Sequence, residues 1–412
     1  MNRWDSIKLG ELVDLTGGAP FKSSDFGGCG IPVLKIKNVK ANRLLLDDVD
    51  HISEDVAKEY PESFLQKGDL LITMTGNRIG GGMDSWVGKV ARFNEDRRYC
   101  LNQRVGIIRP KSPHAVDIRF LSFCLSTGDS QRELIQIATG SGGQANLSPK
   151  QILAVKVPHP PLSEQRAIAA VLGSLDDKIE LNRRMNETLE ALAQSLFKSW
   201  FVDATQSALP NGWREATIRE LASNIQYGLT QSASTEPVGP RFLRITDIQG
   251  GRVDWGNVPY CKVSPEEHER YRIKPGDVLV ARTGASTGEN IYLPVAPDAV
   301  FASYLVRFQF AEPSLARLVG VFMRTPAYFE FVAGCIGGSA QPNASAQVLA
   351  GATLAVPLPA LAKRFADTVA PFDQRIAANN EESRTLAALR DALLPKLLSG
   401  ELRVPAKSTD AS

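Results

Sequence analysis

The chain has 412 residues, 43% of them apolar and 22% charged, and a formal net charge of +2. This is the composition of ordinary globular domains, two to four by length, and so weak a charge balance neither demands nor excludes nucleic acid, which needs local Lys/Arg clustering. No apolar run approaches the roughly 18 residues of a membrane span and the opening Met1-Asn2-Arg3-Trp4-Asp5 starts no signal-peptide core, so a cytoplasmic chain is expected.

Residues 1–158 read as a first head, mixed α/β (α+β) and rich in strands. Ile31 to Val39 alternates in the β manner, Asp69 to Met74 is an apolar run launched by the turn Lys67-Gly68, and Val105 to Ile108 is another strand. Helical spacing appears around Phe120 to Leu125 and at Leu134-Ile135, and the head closes on Val155-Lys156-Val157-Pro158.

Residues 159–203 hold a first long helix. From Ser163, expected as its N-cap, to about Trp200 there is no proline, and a heptad runs through Ile168, Leu175, Asn182, Leu189 and Leu196 with Leu172, Ile179, Asn186, Ala193 and Trp200. Gly173 should weaken it slightly. Thirty-eight helical residues would span roughly 57 Å.

After a linker, 204–212, the plan returns in a second head, 213–357. Strands are expected at Phe242 to Ile248, Asp277 to Ala281 and Tyr304 to Phe310, a helix near Leu315 to Met323, and a closing Leu354-Ala355-Val356-Pro357. A second long helix, 358–400, carries Phe365, Phe372, Asn379, Leu386 and Leu393 with Val369, Ile376, Ser383, Arg390 and Leu397; Pro395 should kink or end it near residue 391. The tail, 401–412, is expected to be disordered.

The halves match in order. Trp4-Asp5-Ser6-Ile7 returns as Trp213-Arg214-Glu215-Ala216, Gly68-Asp69-Leu70-Leu71 as Gly276-Asp277-Val278-Leu279, and Leu175-Asp176-Asp177-Lys178-Ile179 as Phe372-Asp373-Gln374-Arg375-Ile376. One whole unit is therefore duplicated, far longer than a solenoid repeat. If the helices pair antiparallel, Asn182 and Asn379 fall near the two midpoints, face each other and fix register, and the pair becomes a pseudo-twofold ruler holding two reading heads.

Signals for catalysis are missing. His51, His114, His159 and His268 are isolated, no carboxylates stand at metal-ligand spacing, and there is no GxSxG or GxGxxG. Gly80-Gly81-Gly82 with Gly88-Lys89 imitates a phosphate loop, but Met83 and Val90 occupy positions that need Gly and Ser/Thr. Cys29, Cys100, Cys124, Cys261 and Cys335 are scattered without CxxC spacing, which suits neither a disulfide framework nor zinc. No catalytic residue, metal or cofactor is expected in this chain.

Signals for binding are better. Thr75-Gly76-Asn77-Arg78 and Arg282-Thr283-Gly284-Ala285-Ser286 each follow a strand, where glycines admit a phosphate to backbone N–H groups and Arg78 or Arg282 reaches a base edge or backbone. The same pattern also makes a plain strand-to-strand turn. Gln144 and Asn146 recur at Gln341 and Asn343, and amides can pair with adenine edges or simply build loops. Lys35, Lys37, Asn38 and Arg104, with Arg244 and Thr246, are further DNA-binding candidates that a solvated strand face would explain equally.

Together with these heads and helices, Pro160-Pro161-Leu162-Ser163-Glu164-Gln165-Arg166, Leu196-Phe197-Lys198-Ser199-Trp200-Phe201-Val202-Asp203, Leu209-Pro210-Asn211-Gly212-Trp213 and Leu394-Pro395-Lys396-Leu397-Leu398-Ser399-Gly400-Glu401-Leu402 resemble the specificity subunit of type I restriction-modification systems. The resemblance implies two target recognition domains alternating with two long helices, each domain reading half of a bipartite double-stranded DNA sequence. It also implies a non-catalytic subunit that recruits two methylation (M) subunits, which bind S-adenosylmethionine and modify adenine, and two restriction/motor (R) subunits using ATP and Mg. The residues themselves leave two alternatives open: a coiled-coil scaffold with protein- or glycan-binding heads, and the specificity module of an atypical, type IIB-like restriction enzyme.

Overall fold

The computed structural model describes residues 4–78, 85–140, 143–336 and 343–404. Two compact units emerge, Met1–Lys178 with Leu386–Ser412 and Ile179–Thr385. Each contains one head and a stretch of both long helices.

In the first unit a four-stranded antiparallel sheet runs in the order Val90–Arg92, Leu70–Thr73, Val105–Pro110, Val13–Gly17. Leu70, Leu71 and Ile72 are fully buried, so this strand packs on both faces and reads as a continuous apolar run. A parallel pairing of Cys100–Leu101 with Ile31–Leu34 stands beside it, and Ser6–Lys8 pairs with Lys156–Pro158 to close the head. Arg109 braces the sheet with two 2.6 Å bonds to Asp69.

The second unit repeats that topology. Its sheet runs Asn290–Tyr292, Val278–Ala281, Leu305–Gln309, Asn224–Tyr227; Arg241–Leu243 pairs parallel with Ala299–Phe301, and Arg214–Thr217 pairs with Thr353–Val356. Arg307 and Asp277 take the places of Arg109 and Asp69, here with both side chains buried and 3.4 Å apart.

Two expected strands are broken, Ile31 to Val39 and Phe242 to Ile248. Ile31 to Val39 divides into Ile31–Leu34, a 3-10 turn at Ile36–Asn38 and a short Val39–Lys40, because the Asn38 side chain accepts the Lys35 N–H at 2.9 Å and turns the chain. The second head turns likewise at Ile245–Asp247, where Asp247 accepts the Arg244 N–H.

The long helices cover Leu162–Phe197 and Pro359–Ser399. The first begins one residue before Ser163, and its last α-helical residue is Phe197; a π-turn at Lys198–Val202 follows. The extra residue in that turn brings Phe201 onto Phe365, with ring centroids 5.0 Å apart and near-perpendicular planes. The second helix runs through Pro395 to Ser399, against the expected break. Pro371 and Pro395 are both exposed, as are Asp367 and Asp391 four residues before them, so the carbonyls deprived of a donor belong to the solvent-facing side of the helix. Gly400, at φ +74°, ends the helix, with the Leu402 N–H donating to Lys396 O at 3.0 Å.

Every residue of the heptad rows is buried or half-buried. In the first unit, Ile168 and Leu172 share a core with Leu397 and Leu398, and Arg390 bonds Asp176 at 2.8 Å. In the second, Asn379 donates to Asn186 Oδ1 and Asn186 to Asn380 Oδ1, each at 2.8 Å, while Phe197 meets Phe365. Asn182 and Asn379 are buried, but the Asn182 amide bonds Glu382 at 2.8 Å and only the backbone carbonyl of Asn379, at 3.4 Å. Gly173 has a packing reason: a Cβ there would stand 2.2 Å from the Arg119 guanidinium, which donates to the Gly173 carbonyl at 2.6 Å and also bonds Asp177.

Candidate nucleic-acid interface

The two glycine-bearing loops of the first head form one structure. Thr75–Asn77 and Gln144–Asn146 pair antiparallel, with Thr75 opposite Asn146, Gly76 opposite Ala145 and Asn77 opposite Gln144. Thr75 Oγ1 donates to Asn146 Oδ1 at 2.8 Å, so these two polar groups lock the ladder from inside. Asn77 and Gln144, facing each other and exposed, are two neighbouring amides whose side chains make no hydrogen bond among the described residues, so each can offer donors and an acceptor to a base edge. Gly76 is required by contact: a Cβ would lie 2.6 Å from Val87 N. Arg78 is tied into the loop, its N–H donating to Gly143 O at 2.8 Å and its guanidinium to Ala138 O.

In the second head Thr283 bridges Asn343, and the Arg282 guanidinium donates to Asn343 Oδ1 at 3.2 Å while lying 4.9 Å from the Tyr227 ring centroid. Tyr227 Oη accepts the Ala346 N–H at 2.9 Å. Gly284–Ser286 forms a 3-10 turn, with Gly284 at φ +73° and Ser286 Oγ 3.5 Å from Thr283 O. Gln341 and the glycine runs at 80–82 and 337–338 lie outside the described residues. Tyr227, absent from the sequence candidates, stands out only as an aromatic at the end of a polar strand.

Backbone bonds align the two heads. Leu147 N–H donates to Met74 O and Met74 N–H to Arg104 O; Ala344 N–H donates to Arg282 O and Arg282 N–H to Tyr304 O. Arg282 therefore takes the place of Met74 and is not the counterpart of Arg78.

Most of the other candidate cations already have acidic partners. Lys35 is 2.9 Å from Asp50 and 3.4 Å from the Phe26 ring centroid, and Lys37 is 3.0 Å from Asp48. The hydrogen bond from Lys35 lowers the Asp50 carboxyl below its ordinary range, and the bond to Asp48 raises the Lys37 ammonium. Arg244 is likewise held up by its bidentate pairing with Asp247. A phosphate at these sites would have to displace a carboxylate. Asn38 is buried and spends its amide on the Leu45 and Asp48 carbonyls, whereas Thr246 is exposed. Arg104 is exposed and makes no ion pair among the described residues.

Among the described residues no group of three or more His, Cys, Asp or Glu is placed to hold a metal, and no helix is long and apolar enough to cross a membrane. All five cysteines are free; Cys100, Cys124 and Cys261 are buried.

Comparison with known proteins adds a likeness. Residues 1–191 match the model for the type I restriction modification DNA specificity domain. The type I restriction enzyme MjaVIII specificity subunit of Methanocaldococcus jannaschii is 33% identical over 45% of this chain and 43% of its own length, so the chain aligns with under half of that relative. The MjaIX specificity subunit of the same organism is 23% identical over 97% of this chain and 94% of its own. A crystal structure of the S subunit of a type I restriction-modification system from M. genitalium shares the fold, at a TM-score of 0.54 and 15% identity over 96% of both chains.

Proposed function

We propose that the chain is a type I restriction-modification DNA specificity subunit, that it reads a bipartite DNA sequence, one half-site per head, and that it performs no chemistry itself. The observation that carries this reading is the repeated backbone frame: both heads hold a paired loop against the same central strand, with different side chains mounted on it. A scaffold that presents two versions of one binding surface suits a target with two related parts.

The spacing between the half-sites is assigned to the helices, paired as an antiparallel coiled coil with pseudo-twofold symmetry. Support comes from partners that run backwards along the second helix, Asn186 with Asn379 and Asn380, then Phe197 with Phe365. Buried amides at a seam select register at some cost in stability.

Partners are two M subunits and two R subunits, which would supply S-adenosylmethionine, ATP and Mg, in the cytoplasm. Leu181 and Leu192, about three turns apart on the first helix, are 52% and 46% exposed and offer apolar contacts for such a partner. The flipping of the adenine for modification belongs to the M subunit.

Methylation-aware sequencing of the host genome, with the gene present and deleted, tests the reading. A split motif that loses adenine methylation on deletion is the expected result; an unchanged methylome contradicts it.

A further inference from the structure

The same tight turn is built in both heads by four matching backbone bonds. In the first head Asn102 N–H donates to Leu34 O, Gln103 N–H to Ala19 O, Val105 N–H to Asn102 O, and Arg104 O accepts from Met74. In the second, Ala302 donates to Leu243 O, Ser303 to Leu229 O, Leu305 to Ala302 O, and Tyr304 O accepts from Arg282. Gly18 and Gly228 lie so close beneath that a Cβ would come within 2.4 Å and 2.2 Å of the turn's carbonyls. The backbone is thus fixed without help from the third side chain of the turn. That side chain is large and exposed in both heads, Arg104 in one and Tyr304, 56% exposed, in the other.

We propose that Arg104 and Tyr304 are the corresponding specificity-determining residues of the two heads. Arg104 reads a guanine edge in the first head's half-site, and Tyr304 packs on a thymine 5-methyl group in the second's. This rests on the DNA-reading function proposed above. An exposed position where the frame is held constant and the chemistry changes is where two copies of one domain can acquire different targets. The residue just before the paired loop, Met74 or Arg282, is bonded directly to this turn, which ties the turn to the segment that carries the exposed amides Asn77 and Gln144 in the first head. Among the described residues Arg104 has no carboxylate to surrender, unlike Lys35, Lys37 and Arg244, and its planar fork matches the O6 and N7 acceptors of guanine. Tyr304 puts an apolar ring at the equivalent point, and the thymine methyl is the one apolar feature of the major-groove code.

The test uses the full chain assembled with its M subunits, selecting from a randomised DNA library and scoring methylated products. Arg104→Ala should cut discrimination for guanine at one position of one half-site at least tenfold and leave the other half-site unchanged. Tyr304→Ala should do the same for thymine in the opposite half-site, and Tyr304→Phe should retain the preference. Replacing that thymine by uracil, which lacks the methyl, should reproduce the Tyr304→Ala loss with the unsubstituted complex. Uniform weakening across all sequences, as from a phosphate contact, or an unchanged half-site in either alanine variant would overturn the inference. Failure of the unsubstituted complex to select any bipartite sequence would overturn the function on which it rests.

Discussion

Asn379 donates its side-chain amide to Asn186 Oδ1 at 2.8 Å, and both residues are buried. Asn182, one turn before Asn186, takes only the backbone carbonyl of Asn379. Asn379→Leu should therefore strand a buried acceptor and cost about 1–3 kcal/mol. Asn182→Leu should cost less than Asn379→Leu, since its Oδ1 already has no partner and the side-chain acceptors it leaves, Glu382 and Ser383, are exposed and half-buried. In double-mutant cycles by chemical denaturation, the 186/379 pair should couple by roughly 0.5–3 kcal/mol and the 182/379 pair by much less. Equal coupling would mean that the asparagines meet midpoint to midpoint.

Gly173 offers a test in which local propensity and packing give opposite signs. Gly→Ala inside a helix should stabilise by up to about 1 kcal/mol, but here the methyl would expel Arg119 from bonds to Gly173 O and Asp177, together worth about 1.5–3 kcal/mol. Gly173→Ala should lower the thermal midpoint, and the same change in an Arg119→Ala background should raise it. A rise in both backgrounds would place Arg119 elsewhere.

Burial pushes the Asp277 carboxyl above its ordinary value of 3.8, while Arg307 and bonds from Lys274 N–H and Gln309 pull it down. Arg307→Met removes one restraint and should drive it higher. A carboxyl with a raised folded value penalises folding above that value and ceases to do so as it takes up a proton. The destabilisation by Arg307→Met should thus be large at neutral pH, about 3–5 kcal/mol for a buried charge left alone, and shrink as pH falls toward 4. A loss independent of pH would assign the effect to packing.

The duplication, the strands Leu70–Thr73 and Val278–Ala281 and the two long helices were legible in the sequence, because a buried strand and a heptad seam repeat at fixed periods. The turn at Ile36–Asn38 was hidden inside a run of β alternation, since one amide bonding backward overrides the pattern. Pro395 misled because the cost of a helical proline depends on whether the freed carbonyl faces solvent, which a one-dimensional reading does not reveal. The site was half visible. Gly76 and Thr75 stood out by their recurrence, but the pairing of their strand with Gln144–Asn146, and the equivalence of Arg282 with Met74, needed hydrogen bonds between segments some 70 residues apart.

The helices' role in spacing has its own test. Inserting four residues between Glu187 and Leu189 adds about 6 Å at 1.5 Å per residue. It also shifts Glu187 relative to Glu190, both of which Arg252 holds, at 3.2 and 2.8 Å. Methylation at the native spacing should be lost, with any surviving motif carrying a wider gap. Retention of the native gap at full efficiency would separate spacing from helix length.

The central claim is that two independently reading heads share one frame. It is tested most directly by exchanging residues 213–357 for the second head of a related specificity subunit and sequencing the methylated sites made with the M subunits. One half of the motif should change to that of the donor, with the other half and the gap unaltered. A change in both halves together would contradict the account.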